Sequence, residues 1–587
     1  MNEKKTTTLL SNFIKNKDTG VYINPLEDGE IFDYSDGEKI ELYLLESIKN
    51  SASVEEGSRE LMSYIKDWPS FYHLGNGRSN ILKALDLPKD SKILELGSGC
   101  GAVTRYLGEN FKSVDCIEGS YERANIAKER CRDLDNVNIY CSDVQTVELK
   151  PEYDYVTIIG VLEYASVFFS DKSDSASFFL LIAKSGLKPN GKLIIAIENK
   201  IGLKYWSGCP EDHTGMFYEG IVDYPRHKTP KTFSQNEIKG ILKEIDFKEY
   251  NFYYCFPDYK FASTIISEKG DEDYYHLHNW ISTPFIVYNK EREYNFNESL
   301  ALRTLSKDKI LRQFSNSFLI IASTESFKNP PAEWILKHYS LNRQHDLQCI
   351  TKLVEGTENI VSKQRIFDKK NEARSIKLLF DEGEFTLKHQ ISDSKWIKGD
   401  SLIYELYEAL YSSDFHQNAK NVLKKWYDAL SKEFDTGDKD SQGYPLFKGS
   451  SIDLIIRNYI KKSTEELVPI DIEWIVDGNI PADFIVYRCI RIDILQFMNG
   501  NIPKPKFYSD MNKTKIEYVQ TIFPFYDQKR NANNTKIEDQ FQRQVNVSYT
   551  ANLLKTKSLY KKLIKNKLTS SLGKKMPSFV KKTVRKL

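Results

Sequence analysis

The sequence predicts an α/β fold with a doubly wound sheet in the first half of the chain, and a second, α+β domain in the C-terminal half. Two observations predict this arrangement. Residues 92–118 read as a strand, a glycine-rich turn, a helix and a second strand that ends on an acid, which is the opening βαβ unit of a ligand-binding sheet. Residues 451–474 hold an Asp, an Asn and a second Asp around a short apolar run.

Composition places the chain among globular proteins of the cytoplasm. Its 587 residues suffice for about two to four domains, and 40% hydrophobic and 28% charged residues are ordinary for such proteins. The eight cysteines form no Cys-x-x-Cys pair, which favours reduced thiols over disulfides or a structural zinc site. The sequence shows neither the apolar core of a signal peptide nor an apolar run of membrane-spanning length. We therefore expect a cytoplasmic protein.

Charge is unevenly distributed along the chain. Residues 553–587 carry twelve Lys or Arg and no acid, so the rest of a chain with net charge +1 carries −11. Apolar residues recur among these lysines at near-helical spacing, from Leu553 to Leu568, which is typical of an amphipathic helix on an anionic membrane. A solvated basic tail and a nucleic-acid contact are the alternatives. Because the remaining chain is acidic and has no recognised nucleic-acid fold, we expect docking to a membrane or a protein partner and no nucleic acid.

The chain before the first sheet strand is predicted to be helical and irregular, and it carries no readable functional signal. The segment from Trp68 to Leu87 ends in an amphipathic helix. Such a segment either covers a ligand bound at the sheet or packs on the sheet itself, and the residues leave both roles open.

The glycine-rich turn carries the strongest functional signal. Gly97, Gly99 and Gly101 follow an apolar strand and precede a helix that starts at Ala102. Glycines at alternate positions let the backbone turn sharply and approach a ligand, and the helix N-terminus offers free N–H groups to it. Glu118 ends the second strand, 21 residues after Gly97, where an acid accepts ribose hydroxyls. The unit predicts a nucleotide-type ligand.

The spacing Glu95-x-Gly97-x-Gly99-x-Gly101 resembles the first motif of class I S-adenosylmethionine-dependent methyltransferases rather than a dinucleotide fingerprint. The resemblance implies a Rossmann-like sheet and S-adenosylmethionine (SAM) as the cofactor. It also implies that the glycine loop lies against the methionine part of the cofactor and that Glu118 binds its ribose.

Later segments extend the resemblance. Residues 138–141 read as a third strand, and Asp143 after them resembles the acid that binds the adenine amino group; by residue type alone it would be a cap or a turn former. A fourth strand, 153–159, ends at Gly160, which should line the cofactor site. Residues 187–191 resemble the family's turn before a fifth strand.

The acceptor side of the site is less specific. The segment 201–225 is rich in aromatic residues, which suits a sugar-like or amphipathic acceptor and equally suits a lid. Methyl transfer from an activated sulfonium needs in-line positioning, with a base when the acceptor is a hydroxyl. The candidate bases are Glu163, Glu198, Asp212 and His213. No cluster of Cys and His in the sequence points to a metal here.

A second site is predicted from spacing. Asp453 is followed by Asn458 and, at the end of an apolar run, by Asp471. The pattern resembles the catalytic loop and the metal-binding acid of the protein kinase and aminoglycoside phosphotransferase superfamily. The resemblance implies that Asp453 orients an attacking hydroxyl, while Asn458 and Asp471 hold Mg²⁺ on the phosphates of ATP. It also implies that Lys363, on the strand-like run 360–366, binds phosphate.

The surroundings of this second site agree only in part with the superfamily. Glu372 is expected on a helix as the ion-pair partner of the lysine, and residues 396–402 resemble the hinge of small-molecule kinases, followed by a helix. However, the usual His before the loop Asp is replaced, and no glycine-rich loop precedes the lysine. A working kinase and an inactive scaffold therefore both stay open.

These predictions divide the chain into five segments. They are an N-terminal segment 1–69, a methyltransferase-like domain 70–268, a connector 269–330, a kinase-like domain 331–530, and a polar linker with the basic tail 531–587.

A methyltransferase joined to a kinase-like domain resembles the bifunctional enzymes that terminate bacterial O-antigen polysaccharides. The resemblance implies that the protein methylates and phosphorylates a cell-surface glycan or lipid-linked glycan intermediate at the inner face of the plasma membrane. The basic tail would then contact the membrane or glycosyltransferase partners. The alternative is a methyltransferase that acts on a small molecule or lipid, with a non-catalytic kinase-like scaffold that recruits glycan-assembly partners.

Overall fold

The structure is a computed structural model. It describes residues 7–27, 37–226, 229–285, 287, 292, 294–326, 333–341, 343–367, 372–380, 383–495 and 511–546. The basic tail predicted to form an amphipathic helix, 553–587, lies outside the described residues. Among the described helices, none combines the length and the apolar character that crossing a membrane requires.

The strands in chain order are β1 (Thr8–Leu9), β2 (Ile14–Lys15), β3 (Tyr22–Ile23), β4 (Lys92–Leu96), β5 (Ser113–Glu118), β6 (Val137–Cys141), β7 (Val147–Glu148), β8 (Tyr153–Ile159), β9 (Leu187–Glu198), β10 (Glu249–Phe256), β11 (Thr264–Ile266), β12 (Ser317–Ser323), β13 (Trp334–Tyr339), β14 (Cys349–Val354), β15 (Ile360–Arg365), β16 (Arg374–Phe380), β17 (Gly383–His389), β18 (Ser394–Lys395), β19 (Asp400–Ser401), β20 (Asp435–Lys439), β21 (Pro445–Lys448), β22 (Tyr459–Lys461), β23 (Leu467–Pro469), β24 (Trp474–Val476) and β25 (Asn479–Pro481).

The α-helices are α1 (Glu38–Asn50), α2 (Arg59–Ser63), α3 (Trp68–Leu74), α4 (Asn80–Lys83), α5 (Ala102–Asn110), α6 (Tyr121–Arg130), α7 (Ala165–Phe168), α8 (Ser175–Ser185), α9 (Leu203–Trp206), α10 (Gln235–Glu244), α11 (Glu298–Lys307), α12 (Ile403–Tyr411), α13 (Phe415–Phe434), α14 (Ala482–Cys489), α15 (Met511–Gln520) and α16 (Gln528–Val545).

One fourteen-stranded sheet organises the chain. Its strand order is β18-β15-β14-β13-β11-β10-β12-β9-β8-β4-β5-β6-β3-β2. Strands β6, β5, β4, β8 and β9 pair in parallel, which confirms the five strands predicted for the doubly wound sheet. From β9 outward, through β12 and β10, the pairing is antiparallel.

The centre of the sheet is buried on both faces. Along β9, Leu193 and Ile195 join the core that includes α8 and α10, whereas Ile194 and Ala196 join the core that includes α5 and α6. A strand with two buried faces needs a continuous apolar run instead of an alternating one. This explains why the parallel strands are the most readable elements of the sequence.

The sheet does not end where the sequence predicted. The methyltransferase-like domain was expected to end at residue 268, and 269–330 to connect two domains. Instead β12, which lies within that connector, is inserted between β9 and β10, with Leu319 opposite both Ala196 and Tyr253. Strands β13, β14, β15 and β18 then continue the same sheet beyond β11. The apolar run of β12 is visible in the sequence, but its partners lie far away along the chain and no local pattern specifies them.

The remainder of the C-terminal half has its own core. Three small three-stranded sheets accompany helices α12, α13 and α14, and Trp426 and Trp474 are buried among them. The helix predicted after residue 402 is α12. The chain expected to be a polar linker from residue 531 instead forms α16, whose Ile537 and Phe541 pack into this core. The linker prediction is therefore wrong as far as Val545.

Candidate active site

A cavity of about 550 Å³ opens at the carboxyl ends of the parallel strands. Gly97, Glu118, Asp143 and Gly160, which end or follow β4, β5, β6 and β8, line one side of it. The carboxyl edge of a parallel sheet is where ligands of doubly wound folds bind, and the volume lies within the range of about 300–1,000 Å³ for cofactor and small-molecule sites. The structure thus brings four predicted cofactor residues to one edge.

The glycine loop adopts a backbone conformation that other residues rarely adopt. Gly97, Gly99 and Gly101 have φ values of +82°, +51° and +79°. A Cβ atom on Gly97 would lie 2.5 Å from Val161 Cγ2, and one on Gly101 would lie 2.8 Å from Ala127 Cα. A Cβ atom on Gly99 would meet no atom of the described chain within 4 Å. The flanking glycines therefore allow the turn, and the backbone at Gly99 faces open space where a ligand fits.

Glu118 and Asp143 carry the polar groups on this side of the cavity. Glu118 is buried and accepts hydrogen bonds from the backbone N–H groups of Gly99 at 2.7 Å and Ser120 at 3.1 Å. Asp143 accepts from the N–H of Gln145 at 3.0 Å and so caps a short helical turn, which is the structural role the sequence left open for it. Both residues also line the cavity, so capping and ligand contact are compatible.

Glu95 anchors the glycine loop from within the sheet. Its carboxylate accepts a hydrogen bond of 2.6 Å from the hydroxyl of Thr104 in α5, and the Cys116 thiol of β5 lies 3.3 Å away. Burial raises the pKa of Glu95 to about 7, and the nearby charge of Glu118 adds to the effect. Glu95 therefore links β4 to the helix that follows the loop.

Three candidate bases meet at the other side of the cavity, where Glu163 and His213 line the wall and Glu198 is fully buried next to them. One carboxylate oxygen of Glu163, one of Glu198 and one ring nitrogen of His213 lie within 4.8 Å of one another. His213 Nε2 is 3.4 Å from Glu163 Oε1, and its Nδ1 is 2.9 Å from Glu211 Oε1. Burial would lower the pKa of His213, but its bonds to the two carboxylates outweigh burial and raise the pKa to about 10. In this arrangement the imidazole is protonated at neutral pH and donates rather than accepts protons.

Two lysines that sequence reasoning missed lie beside this cluster. Lys204 pairs with Asp212 at 2.6 Å and, despite burial, holds the pKa of Asp212 below its usual range. Lys260 pairs with Glu198. Lys260 could have been found from the order of the strands. Because β12 pairs antiparallel with both β9 and β10, β10 runs in the same direction as β9. The loop 257–263 that follows β10 therefore lies at the ligand-binding edge.

The aromatic segment expected on the acceptor side divides between core and surface. Its Tyr205 and Tyr224 are buried, whereas Trp206, Phe217 and Tyr218 are 41–54% exposed. None of these five described residues lines the cavity, which the segment reaches through Lys204 and residues 209–215. The aromatic rings of the cavity come from Trp68, Tyr72, Tyr164, Phe168, Phe169, Phe179 and Tyr259. Because the first two belong to α3, the segment before the sheet does cover the cavity.

Two residues predicted for the second site, Lys363 and Asp471, are in contact. Lys363 Nζ pairs with the carboxylates of Asp471 and of Glu473, the latter at 2.9 Å. Glu372, expected on a helix as the partner of this lysine, instead lies in a loop before β16, and its carbonyl accepts a hydrogen bond from Arg365. That prediction is wrong because the partners of the lysine come from the acidic pair after β23.

Asp453 and Asn458 complete this group. The side-chain amide of Asn458 donates a hydrogen bond of 2.7 Å to the backbone carbonyl of Asp453. The backbone carbonyl of Asn458 accepts a hydrogen bond of 2.9 Å from the N–H of Ile470, the residue before Asp471. Asp453 also pairs with Arg488 at 3.0 Å. Burial raises the pKa of Asp453 to about 6, against the opposing effect of that arginine. Residues spread over more than a hundred positions thus form one connected polar group.

Comparisons with known proteins concern the part of the chain that holds the first of the two sites. Residues 94–193 match the sequence profile of a methyltransferase domain family. Solved structures that align with the chain include a SAM-dependent methyltransferase from Aquifex aeolicus (21% identity, 32% of this chain and 89% of that chain, TM-score 0.23). Another is from Methanosarcina mazei (12% identity, 41% and 95%, TM-score 0.25). A third is Haemonchus contortus phosphoethanolamine N-methyltransferase 2 in complex with S-adenosyl-L-methionine (17% identity, 49% and 57%, TM-score 0.28). No curated protein matches the sequence.

The profile match runs from β4 into β9 and includes the glycine loop, Glu118, Asp143 and Gly160. Together with the geometry of that loop, it supports a class I SAM-dependent methyltransferase domain in the N-terminal half of the chain. The match ends before residues 331–530, which are called the C-terminal unit below. The kinase-like assignment of that unit therefore stays a prediction.

Proposed function

We propose that the chain transfers a methyl group from SAM to a polar, hydroxyl-bearing acceptor, namely a cell-surface glycan or glycolipid intermediate. The observation that carries the proposal is a single cavity shared by two groups of residues. The glycine loop and Glu118 lie on its cofactor side, and Glu163, His213 and Lys260 lie on its acceptor side.

The cofactor side fits SAM. The open space beside Gly99 admits a ligand against the backbone, and the buried carboxylate of Glu118 suits the two ribose hydroxyls. Asp143, at the end of the neighbouring strand, suits the adenine amino group. When bound, SAM supplies a methyl group already activated on a sulfonium. The protein therefore has to position the acceptor and accept the proton that the acceptor hydroxyl loses.

The acceptor side offers groups for that task. Glu163 and Glu198 are buried, and each keeps one carboxylate oxygen without a hydrogen-bond partner among the described residues. Of the two, Glu163 lines the cavity, so its free oxygen can accept the proton of an acceptor hydroxyl. His213 and Lys260 balance the charge of these carboxylates. In-line positioning of the acceptor in the cavity would contribute further to the rate.

Phosphoryl transfer by the C-terminal unit is the second part of the proposal. It is supported by the contact of Lys363 with Asp471 and by the hydrogen bond from Asn458 to Asp453. In that role Lys363 binds the phosphates, Asn458 and Asp471 hold Mg²⁺, and Asp453 orients the acceptor hydroxyl. The alternative is a non-catalytic scaffold that recruits glycan-assembly partners, and ATP binding that depends on Mg²⁺ separates the two.

The proposed place of action is the inner face of the plasma membrane. The charge pattern of residues 553–587 supports it, since basic amphipathic segments bind anionic lipid surfaces. Flotation with anionic liposomes tests it: the full chain should float with the lipid, and a chain that ends at residue 552 should not. Equal recovery of the two proteins would contradict membrane docking.

The acceptor is tested in cells. Mass spectrometry of surface glycans from a strain that lacks this chain should show the loss of a methyl group, which restoration of the wild-type chain should reverse. Glycans with unchanged methylation would contradict the glycan acceptor and favour the alternative, a small molecule or a lipid.

A further inference from the structure

We propose that Glu163, Glu198 and His213 form a binding site for a divalent metal ion of the Mn²⁺ or Zn²⁺ class at the wall of the methyl-transfer cavity. The inference deepens the proposed function and depends on it only for the effect of the ion on the acceptor. The distances and burial of the three side chains do not depend on that function.

The distances within the cluster suit ligands of one ion. One atom from each of the three side chains lies within 4.8 Å of the other two. His213 Nε2 and Glu163 Oε1 are 3.4 Å apart, which is longer than the roughly 2.7–2.9 Å of hydrogen bonds between charged groups. Ligands bound at roughly 2.0–2.2 Å to one ion lie roughly 3–3.5 Å apart. The observed separation therefore matches two metal ligands better than a charged pair in direct contact.

Two buried carboxylate oxygens in the cluster are available to a cation. Glu163 Oε2 and Glu198 Oε2 have no hydrogen-bond partner among the described residues, and the two side chains are only 1% and 0% exposed. Lys260 contacts Oε1 of Glu198 and leaves Oε2 to another partner. Burying a carboxylate oxygen without a partner is unfavourable, and a cation between the two carboxylates would lower that cost.

The surroundings of His213 have the arrangement found around metal-binding histidines. Such histidines donate their second N–H to a carboxylate, which fixes the orientation of the ring. His213 Nδ1 lies 2.9 Å from Glu211 Oε1. Glu211 is itself buried and accepts from the backbone N–H groups of His213 at 3.0 Å and Thr214 at 2.6 Å. Nε2 is thereby held towards Glu163.

The ligand set indicates the class of ion and its effect. One imidazole and two carboxylates suit Mn²⁺ or Zn²⁺ better than ions that take oxygen ligands alone. The ion would take the place of the proton on His213 Nε2, which is released to solvent. Three protein ligands leave coordination positions for water or an acceptor hydroxyl, and a bound hydroxyl loses its proton more readily. Glu163 or Glu198 would then act as a ligand rather than as the base.

Mn²⁺ titration of the full chain by calorimetry tests the site. We expect Glu163→Gln and His213→Asn to weaken binding at least about tenfold. Glu211→Gln, which changes the carboxylate that orients His213, should weaken it by about 10- to 100-fold. Glu219→Gln is the matched control, since Glu219 lies in the same loop and is buried but stands outside the cluster. Its affinity should equal that of the wild type.

Two further measurements make the outcome decisive. Asp471→Asn removes the metal site predicted in the C-terminal unit, and one Mn²⁺ should still bind to this variant. Pulsed electron paramagnetic resonance of that bound Mn²⁺ should show coupling to an imidazole nitrogen, a readout that does not require a cluster variant to fold. Binding that is lost in Asp471→Asn, or bound Mn²⁺ without nitrogen coupling, would overturn the inference.

The same samples separate this inference from the proposed function. A wild-type chain that binds SAM but neither Mn²⁺ nor Zn²⁺ overturns the metal site alone. A chain that binds the metal through His213 but does not bind SAM overturns the proposed function and leaves the metal site standing.

Discussion

The carboxylate of Glu118 accepts a hydrogen bond of 2.7 Å from the backbone N–H of Gly99. This contact joins the acid that ends β5 to the loop that follows β4, because the carboxyl ends of neighbouring parallel strands meet at one edge of the sheet. It also defines what a ligand meets there. Ribose hydroxyls that bind Glu118 have to share or replace the N–H of Gly99, so the loop and the acid act as one surface.

Gly97→Ala is expected to destabilise the protein more than Gly99→Ala. Both positions have positive φ, so both substitutions introduce backbone strain of about 1 kcal/mol or more. Only at Gly97 would the new Cβ also lie 2.5 Å from Val161 Cγ2. Urea unfolding of the two variants measures the difference. Equal losses of stability would contradict the loop geometry, and Gly97→Ala combined with Val161→Ala should recover part of the loss.

Glu95→Gln is expected to change how stability depends on pH. The pKa of Glu95 is raised by burial from 4.5 to about 7. Between these values the folded protein keeps a proton that the unfolded chain has released, so stability is fully present below about pH 4.5 and is lost as the pH rises through 7. The loss is at most about 3 kcal/mol.

The amide at residue 95 cannot ionise, so Glu95→Gln should be more stable relative to the wild type at pH 8 than at pH 5. Unfolding free energies at these two pH values provide the measurement. A difference between variant and wild type that is the same at both pH values would contradict the raised pKa.

Lys363→Met is expected to abolish ATP binding in the presence of Mg²⁺ if the C-terminal unit transfers phosphoryl groups. The lysine contacts Asp471, and in the proposed phosphoryl transfer it would bind phosphate next to a metal held by that acid. Calorimetry with ATP and Mg²⁺ is the measurement, and Lys377→Met, which changes an exposed lysine of β16, is the control. A wild-type chain that binds no ATP would favour the scaffold alternative.

If the C-terminal unit transfers phosphoryl groups, the rate of that transfer should fall as the pH drops below 6. Asp453 must be ionised to accept a hydroxyl proton, and its pKa is raised by burial to about 6. Below that value the rate is expected to fall about tenfold per pH unit. Asp453→Asn should remove the activity and retain ATP binding. A rate that stays constant between pH 7 and pH 5 would exclude Asp453 as the base.

The parallel half of the sheet and its cofactor residues could be predicted because their signals are local. Gly97, Gly99 and Gly101 directly follow β4, and Glu118 ends the next strand, so order along the chain equals order in space. Asp143 shows the limit of such signals. An Asp after the third strand is expected both for a helix cap, which Asp143 is, and for a ligand contact, and the residue type does not distinguish the two roles.

The remaining features depend on contacts between distant segments. Leu319 pairs across β12 with residues that lie 66 and 123 positions earlier in the chain, and the sequence carries no mark of that pairing. Glu163 and His213 come from different loops and meet only in the fold. Their chemistry was readable from residue type, whereas their convergence and the contact of Lys260 with Glu198 were not.

Calorimetric titration of the full chain with SAM tests the central claim most directly. We expect the wild type and Glu122→Ala, a nearby exposed acid, to bind SAM alike. Glu118→Ala should weaken binding by about 10- to 100-fold through the loss of hydrogen bonds to a charged group, and Gly99→Arg should abolish it by filling the open space beside the loop. A folded wild-type chain that binds no SAM would contradict the account.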